Sequence, residues 1–328
     1  MPLNKRPEFV MVILKRILFA FVLLFVVSGV VFFLMHSLPG DPILMWLGAE
    51  YNPALYAQLK AHYGLDKPLI QQYLIWLKNM LQGDLGKSLL SHTPILEEIM
   101  RRIPITLELI LFAMIFSVAL GMATGIFSAL HRDRFIDHFS LSFTLFGISM
   151  PEFFFGAILM LFFALFWRVF PPSGYVNLSE SWSANLHHMV MPALALGFPR
   201  SAVICRMMRS SLLEVFGKNY IRTAIAKGLR TQDVLLGHAL KNAMITVVTV
   251  IGLQVGYLVG GSIIVEKLFV IPGIGSFGIN AIVSRDYPGI QGFILVVAFF
   301  FVFSNFLVDL SYLYLDPRIR YGSRGRKQ

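Results

Sequence analysis

The sequence predicts an all-α polytopic membrane protein, and three observations carry that prediction. The 328 residues are 56% hydrophobic and only 14% charged, with a mean hydropathy of +0.70, whereas soluble domains run near about 25% charged. Several apolar runs reach the length needed to cross about 30 Å of hydrocarbon. The short alternating segments that a membrane β-barrel requires are missing from the sequence.

Hydrophobic runs place six transmembrane helices at about 12–35, 105–130, 139–165, 189–211, 243–264 and 290–314. The first follows Lys5, Arg6, Lys15 and Arg16. Its apolar run from Ile17 to Met35 is too long for a signal-peptide core and lacks a small-x-small cleavage site, so it reads as a retained span. The loop 36–104 carries turn residues at Pro39-Gly40-Asp41-Pro42 and again near Gly64 and Gly83. Between them, Pro53–Tyr63 and Pro68–Leu81 read as short amphipathic helices. Tyr73, Trp76, Leu77 and Met80 share one side of the second. That loop is read equally as a helical cap on the outer leaflet or as a docking surface for an external partner. Pro192, Pro199 and Arg200 interrupt the fourth span, which predicts a kink there. Gly121–Gly125 and Gly256–Gly261 are read as sites of close helix packing. The expected organisation is a tail and first span (1–35), an extracytoplasmic loop (36–104), a five-helix core (105–314) and a basic tail (315–328).

Charge fixes the expected orientation. Eighteen of the 28 basic residues fall on the side that holds both termini, including Arg132, Arg134, Arg206, Arg209 and the tail residues Arg318–Lys327. Basic residues near span ends favour the cytoplasm, so both termini are expected inside. Most of the net charge of +10 is then a topology signal, and no nucleic-acid role is expected. Cys205 is the sole cysteine, which excludes an internal disulfide. No GxxxxGK[ST] run is present to cradle nucleotide phosphates. His187-His188 lacks a partner motif for a metal site, and no catalytic triad pattern stands out.

Glu108, Glu152, Arg200 and Asp309 fall within or near the spans. An unpaired charge there costs at least about 2.5 kcal/mol, so each should face the bundle interior, a path, a partner chain or the interface. Arg200, just after Pro199, is expected either to line a pore or to pair with an intramembrane acid.

The most unusual stretch is 214–242, polar and basic between two spans. Tyr220, Ile221, Ala224 and Ile225 form an apolar stripe at helical spacing. Gly228 ends that pattern, and Thr231 is placed to cap a second short helix whose packing side is Val234, Leu235, His238 and Ala239. Two short helices joined at a glycine form an elbow able to transmit a push into span five. From these residues alone, a lipid-anchored interfacial pair and a partner-docking element are equally supported.

The segment Tyr220-Ile-Arg-Thr-Ala-Ile-Ala-Lys-Gly-Leu229, followed by Gly237-His-Ala-Leu-Lys-Asn-Ala243, resembles the cytoplasmic signature loop of bacterial ABC-importer permeases. The likeness is to the oligopeptide, dipeptide, opine, nickel and glutathione group. It continues through Leu38-Pro-Gly-Asp-Pro42, Tyr63-Gly-Leu-Asp-Lys-Pro68, Gly83-Asp-Leu-Gly86 with Ser88, and Arg102-Ile-Pro-Ile-Thr-Leu-Glu108. It goes on through Gly147-Ile-Ser-Met-Pro151, Arg209-Ser-Ser-Leu-Leu213, Gly260-Gly-Ser-Ile-Ile-Val-Glu266, Ile271-Pro-Gly-Ile-Gly275, Arg285-Asp-Tyr-Pro288 and Asp316-Pro-Arg318. One departure is Arg222-Thr-Ala224, where the wider superfamily commonly has Glu-Ala-Ala.

The resemblance implies a type I ABC importer permease fold in a bacterial inner membrane and no catalysis by this chain alone. It implies ATPase-coupling roles for Tyr220, Arg222, Thr223, Ala224, Ala226, Lys227, Gly228 and Leu229. The expected partners are a homologous second permease chain, two ATPase subunits that bind ATP and Mg, an extracytoplasmic solute-binding protein, and membrane lipid. Arg200, Glu108, Glu152 and Asp309 are expected candidates for the path, and Glu266, Gly273 and Asp286 for outer docking. Short peptides lead the expected substrates, ahead of nickel chelates, glutathione and opines. An ion-coupled secondary transporter and a non-transporting receptor or scaffold are the alternatives from other classes.

Overall fold

The computed structural model describes residues 6–37, 42–47, 52–62 and 65–315. The turn at 38–41, the Asp316-Pro-Arg318 match and the basic tail lie outside the described residues. All regular elements among the described residues are helical, apart from one isolated bridge between Lys87 and Pro94. Five helices are long and apolar enough to span a membrane, or six when a bent pair counts as one.

The chain divides into two compact units. The first comprises Met1–Thr106 and Pro272–Val302. It contains α1 (Arg6–Ser37), α2 (Pro42–Leu47), α3 (Pro53–His62), α4 (Leu69–Leu81) and the start of α5 (Ile95–Leu130). It also holds α12 (Ile274–Val283) and the first half of α13 (Tyr287–Leu315). The side of α4 predicted to be apolar is the side that packs: Tyr73 is buried against Phe32, and its hydroxyl lies 2.9 Å from Ser28 Oγ on α1. The loop helix therefore rests on the first span.

The second unit comprises Leu107–Ile271 and Phe303–Gln328. Its centre is α8 (Trp182–Phe216), whose most apolar stretch is far more buried than that of the other single-helix candidate spans. Glycines let α5 and α8 approach closely. A Cβ on Gly121 would lie 2.6 Å from the Ser201 carbonyl oxygen, and one on Gly125 would lie 2.7 Å from that of Cys205. Gly197 answers from α8, 2.6 Å from the Ala113 carbonyl by the same measure. Small residues four apart on one helix face allow this contact between backbones.

One expectation about the spans needs correction. The fourth span keeps helical backbone through both Pro192 and Pro199, the tolerance of packed membrane helices for proline. A break falls in the third span, expected to be continuous over 139–165. It is split into α6 (Phe135–Ser149) and α7 (Glu152–Leu159, extended by a π-helical turn Met160–Phe166), bent by 106°. The cause is local. Pro151 disfavours helical backbone at the residue before it, and Met150 accordingly takes φ −88°, ψ 121°.

The elbow is also simpler than two short helices. After α9 (Asn219–Ala226), the turn of α10 (Thr231–Val234) passes through a π-helical turn (Leu235–Ala239) into α11 (Leu240–Leu268). Thr231–Leu268 is thus one candidate span, beginning 12 residues before the predicted position 243. Arg230 occupies the N-cap position, and no side-chain cap bond forms there.

Candidate functional site

An isolated helix of eight residues is marginal in water, so α9 depends on what its buried side touches. Ile221 is fully buried and Ala224 nearly so. Both sit in one apolar cluster with Met208, Leu212 and Val215 of α8 and with Val234, Leu235 and Ala239 at the start of the fifth span. Burying Ile221 alone contributes about 1.5–3 kcal/mol. The predicted stripe therefore splits, because Tyr220 and Ile225 are exposed. Arg222, Thr223, Ala226, Lys227, Gly228 and Leu229 are exposed as well, so of the eight predicted coupling residues only Ala224 faces inward. His238, expected on the packing side of the next helix, is exposed.

Gly228 terminates α9 in a way that explains its identity. The Leu229 amide donates to the Ala224 carbonyl at 3.4 Å and the Gly228 amide donates to that of Ile225 at 2.9 Å. This is the Schellman pattern, which places the glycine in the left-handed region, and Gly228 has φ +83°. A Cβ there would meet nothing within 4 Å. The glycine is needed for its backbone angle, and close approach of another group plays no part. Ahead of α9, Lys218 donates to Glu214 at 2.8 Å, which raises the lysine pKa.

Just before this elbow lies a clamp that the sequence reading missed. The Asp137 carboxylate, at the start of α6, receives Arg209 Nε at 2.6 Å and Nη2 at 2.7 Å. It also accepts from the Ser128 hydroxyl on α5 at 2.6 Å and from the Asp133 amide at 3.0 Å. Asp133 holds φ +61°, a turn conformation Asp tolerates better than most residues. One carboxylate thus ties α5, α6 and α8 together. The available signal was an acid in the first turn of a span, opposite a basic residue of the Arg209 match.

The charged residues expected near membrane depth have separate partners among the described side chains. Arg200 pairs with Glu152, the first residue of α7, and lies over the Tyr257 ring at 5.6 Å. Glu108 accepts from Tyr175 Oη at 2.9 Å and from Asn185 Nδ2 at 2.6 Å. Burial, with Glu108 adding to it, pushes the Tyr175 pKa above the ordinary phenol range. Asp309 lies on α13, and its side chain is outside the described residues.

The residues expected to offer an outer docking surface are interior. Glu266 is fully buried, Asp286 is 4% exposed and Gly273 is buried. Asp286 caps the start of α13 and accepts from Ser88 Oγ at 2.6 Å and the Leu89 amide at 3.1 Å. The Arg285-Asp-Tyr-Pro288 and Gly83–Ser88 matches, far apart in sequence, therefore meet. The Ile274 amide likewise donates to Thr106 Oγ1 at 2.9 Å, joining two further matches. Among the described residues, no group of three or more His, Cys, Asp or Glu is placed to hold a metal ion.

Residues 121–321, which contain the elbow, the clamp and the Arg200–Glu152 pair, match the family described as binding-protein-dependent transport system inner membrane component. Residues 9–110 match the N-terminal component of the same systems. The chain belongs to this family. It is 43% identical to the dipeptide transport system permease protein of Escherichia coli, across 88% of this chain and 93% of that protein. It is 40% identical to the glutathione transport system permease protein of the same species, across 94% and 98%. The chain is accordingly a polytopic ABC-importer permease and performs no covalent catalysis itself. Membership implies the usual company of such an importer: a second permease, ATPase subunits and a binding protein. The multi-pass helical architecture supports an inner-membrane location.

Proposed function

We propose that this chain forms part of the translocation path of an ATP-driven importer of di- and oligopeptides, with its termini in the cytoplasm. The 214–242 elbow seats against an ATPase subunit. A second, homologous permease chain completes the path, two ATPase subunits bind ATP and Mg, and an extracytoplasmic binding protein delivers the cargo. The exposed side of α9 carries this reading: Tyr220, Ile225 and Leu229 offer apolar contact beside Arg222 and Lys227, while Ile221 and Ala224 anchor the same helix to two spans. A helix so arranged transmits displacement of its partner into α8 and α11. Glutathione is the second reading, favoured by the 40% identical relative.

The test is to co-purify the complex, reconstitute it in vesicles and measure uptake across a panel of dipeptides, oligopeptides, glutathione and nickel chelates. Peptide uptake that requires ATP supports the proposal, and uptake of nickel chelates alone refutes the substrate class. Arg222→Glu or Lys227→Glu should lower peptide import at least about tenfold, equivalent to about 1.4 kcal/mol, while leaving membrane insertion intact. Normal import by both variants would reduce the elbow to a membrane anchor.

A further inference from the structure

Two features that are costly inside a membrane coincide at one place. The first is the break at Met150–Pro151, where the third span bends by 106°. Irregular backbone at membrane depth is tolerated where it is packed in protein or lines a water-filled cavity. The second is the ion pair between Glu152, immediately after that break, and Arg200, near the middle of the 35-residue α8. The two side chains keep 16% and 20% of their exposure. A charged pair with accessible atoms at this depth belongs against a path or another chain, because facing hydrocarbon is costly.

The pair is also left open. Arg200 Nε is buried without a hydrogen-bond partner. The aromatic face beneath the guanidinium, Tyr257, is itself 59% exposed. Gly261 leaves the room occupied by the Glu152 carboxylate, where an added Cβ would collide with it. In secondary transporters, substrate sites lie where membrane helices are discontinuous.

We infer that Arg200 and Glu152 form an exchangeable subsite for a zwitterionic peptide. Arg200 takes the terminal carboxylate and Glu152 takes the terminal ammonium. A guanidinium matches a carboxylate through two parallel N–H donors, and opening the pair uncovers the Nε that is now buried and unpartnered. The exchange conserves charge pairing: one internal pair opens and two pairs with substrate form, so neither protein charge is stranded. A peptide blocked at one end leaves one of them unpaired. This inference rests on the peptide-import reading.

The experiment measures binding of radiolabelled dialanine to the detergent-purified permease–ATPase complex, without binding protein. It compares free dialanine with its N-acetyl and its C-terminal amide derivatives. Wild type should prefer the free peptide over each derivative by about tenfold or more. Arg200→Gln should abolish the discrimination against the amide and keep that against the acetyl form. Glu152→Gln should do the reverse. Because each result is a ratio within one variant, the amount of folded complex cancels. Parallel loss of both preferences, retention of both, or no discrimination by wild type overturns the subsite. ATP-dependent peptide uptake into vesicles that persists alongside such a result leaves the import reading standing.

Discussion

Removing either half of the Asp137–Arg209 clamp should destabilise the second unit strongly, and removing both should cost little more. The Asp137 side chain is 1% exposed and Arg209 is 21% exposed. Arg209→Ala leaves an ionised, buried carboxylate held only by the Ser128 hydroxyl and the Asp133 amide. Breaking a buried pair from one side costs about 3–5 kcal/mol, because the remaining charge is uncompensated. Asp137→Ala strands Arg209 together with two neutral donors, one of them the fully buried Ser128, and should fall in the same range. Replacing both by Ala removes both charges and leaves only the neutral donors to satisfy, at about 1–3 kcal/mol each. The pair should therefore show a coupling energy of about 2–4 kcal/mol in a double-mutant cycle, measured by reversible SDS titration of the protein in mixed micelles. Single variants within about 0.5 kcal/mol of wild type, or additive double variants, would refute the reasoning, since surface positions behave that way.

Gly228→Ala should cost about 1–2 kcal/mol through its left-handed angle alone, and Gly228→Asn should recover part of it; equal losses for the two would mean that bulk matters there. Gly121→Val drives side-chain atoms into the Ser201 backbone and the Ile204 side chain, so it should abolish stable folding in detergent, as gel filtration would reveal. Asp286→Ala removes the cap of α13 and strands the Ser88 hydroxyl, for a loss of about 1–2 kcal/mol readable by thermal inactivation; a change below about 0.3 kcal/mol would contradict the capping role.

What the sequence revealed depended on the range of the interaction concerned. Span positions follow from length and apolarity, and α4 followed from its periodicity, which placed Tyr73, Trp76, Leu77 and Met80 on its apolar side. Gly228 was legible because its requirement is local, a backbone angle set within one turn. The break at Pro151 was hidden because Leu141–Ile148 and Phe153–Phe166 are largely apolar on both sides of it, so hydropathy reads through the interruption. The prolines of α8 leave that segment helical, because neighbouring helices hold it. Pairings across long separations, Arg200 with Glu152 and Ser88 with Asp286, carry no local signature. Their members were visible separately, Arg200 and Glu152 as charges near membrane depth and Ser88 and Asp286 within two matches, but which meets which is decided by packing. Glu266 and Asp286 were expected at an outer docking surface, yet both are interior.

The continuity of Thr231–Leu268 has a geometric consequence. Its 38 residues extend about 57 Å at 1.5 Å per residue, so a pivot of about 5° at one end sweeps the other through about 5 Å. The helix is a lever arm whose short-travel end lies beside α9 and whose far end carries Phe269, the residue whose carbonyl receives the Gly174 amide. A small rotation beside Ile221 is therefore amplified along the helix into a displacement of several ångströms at its opposite end.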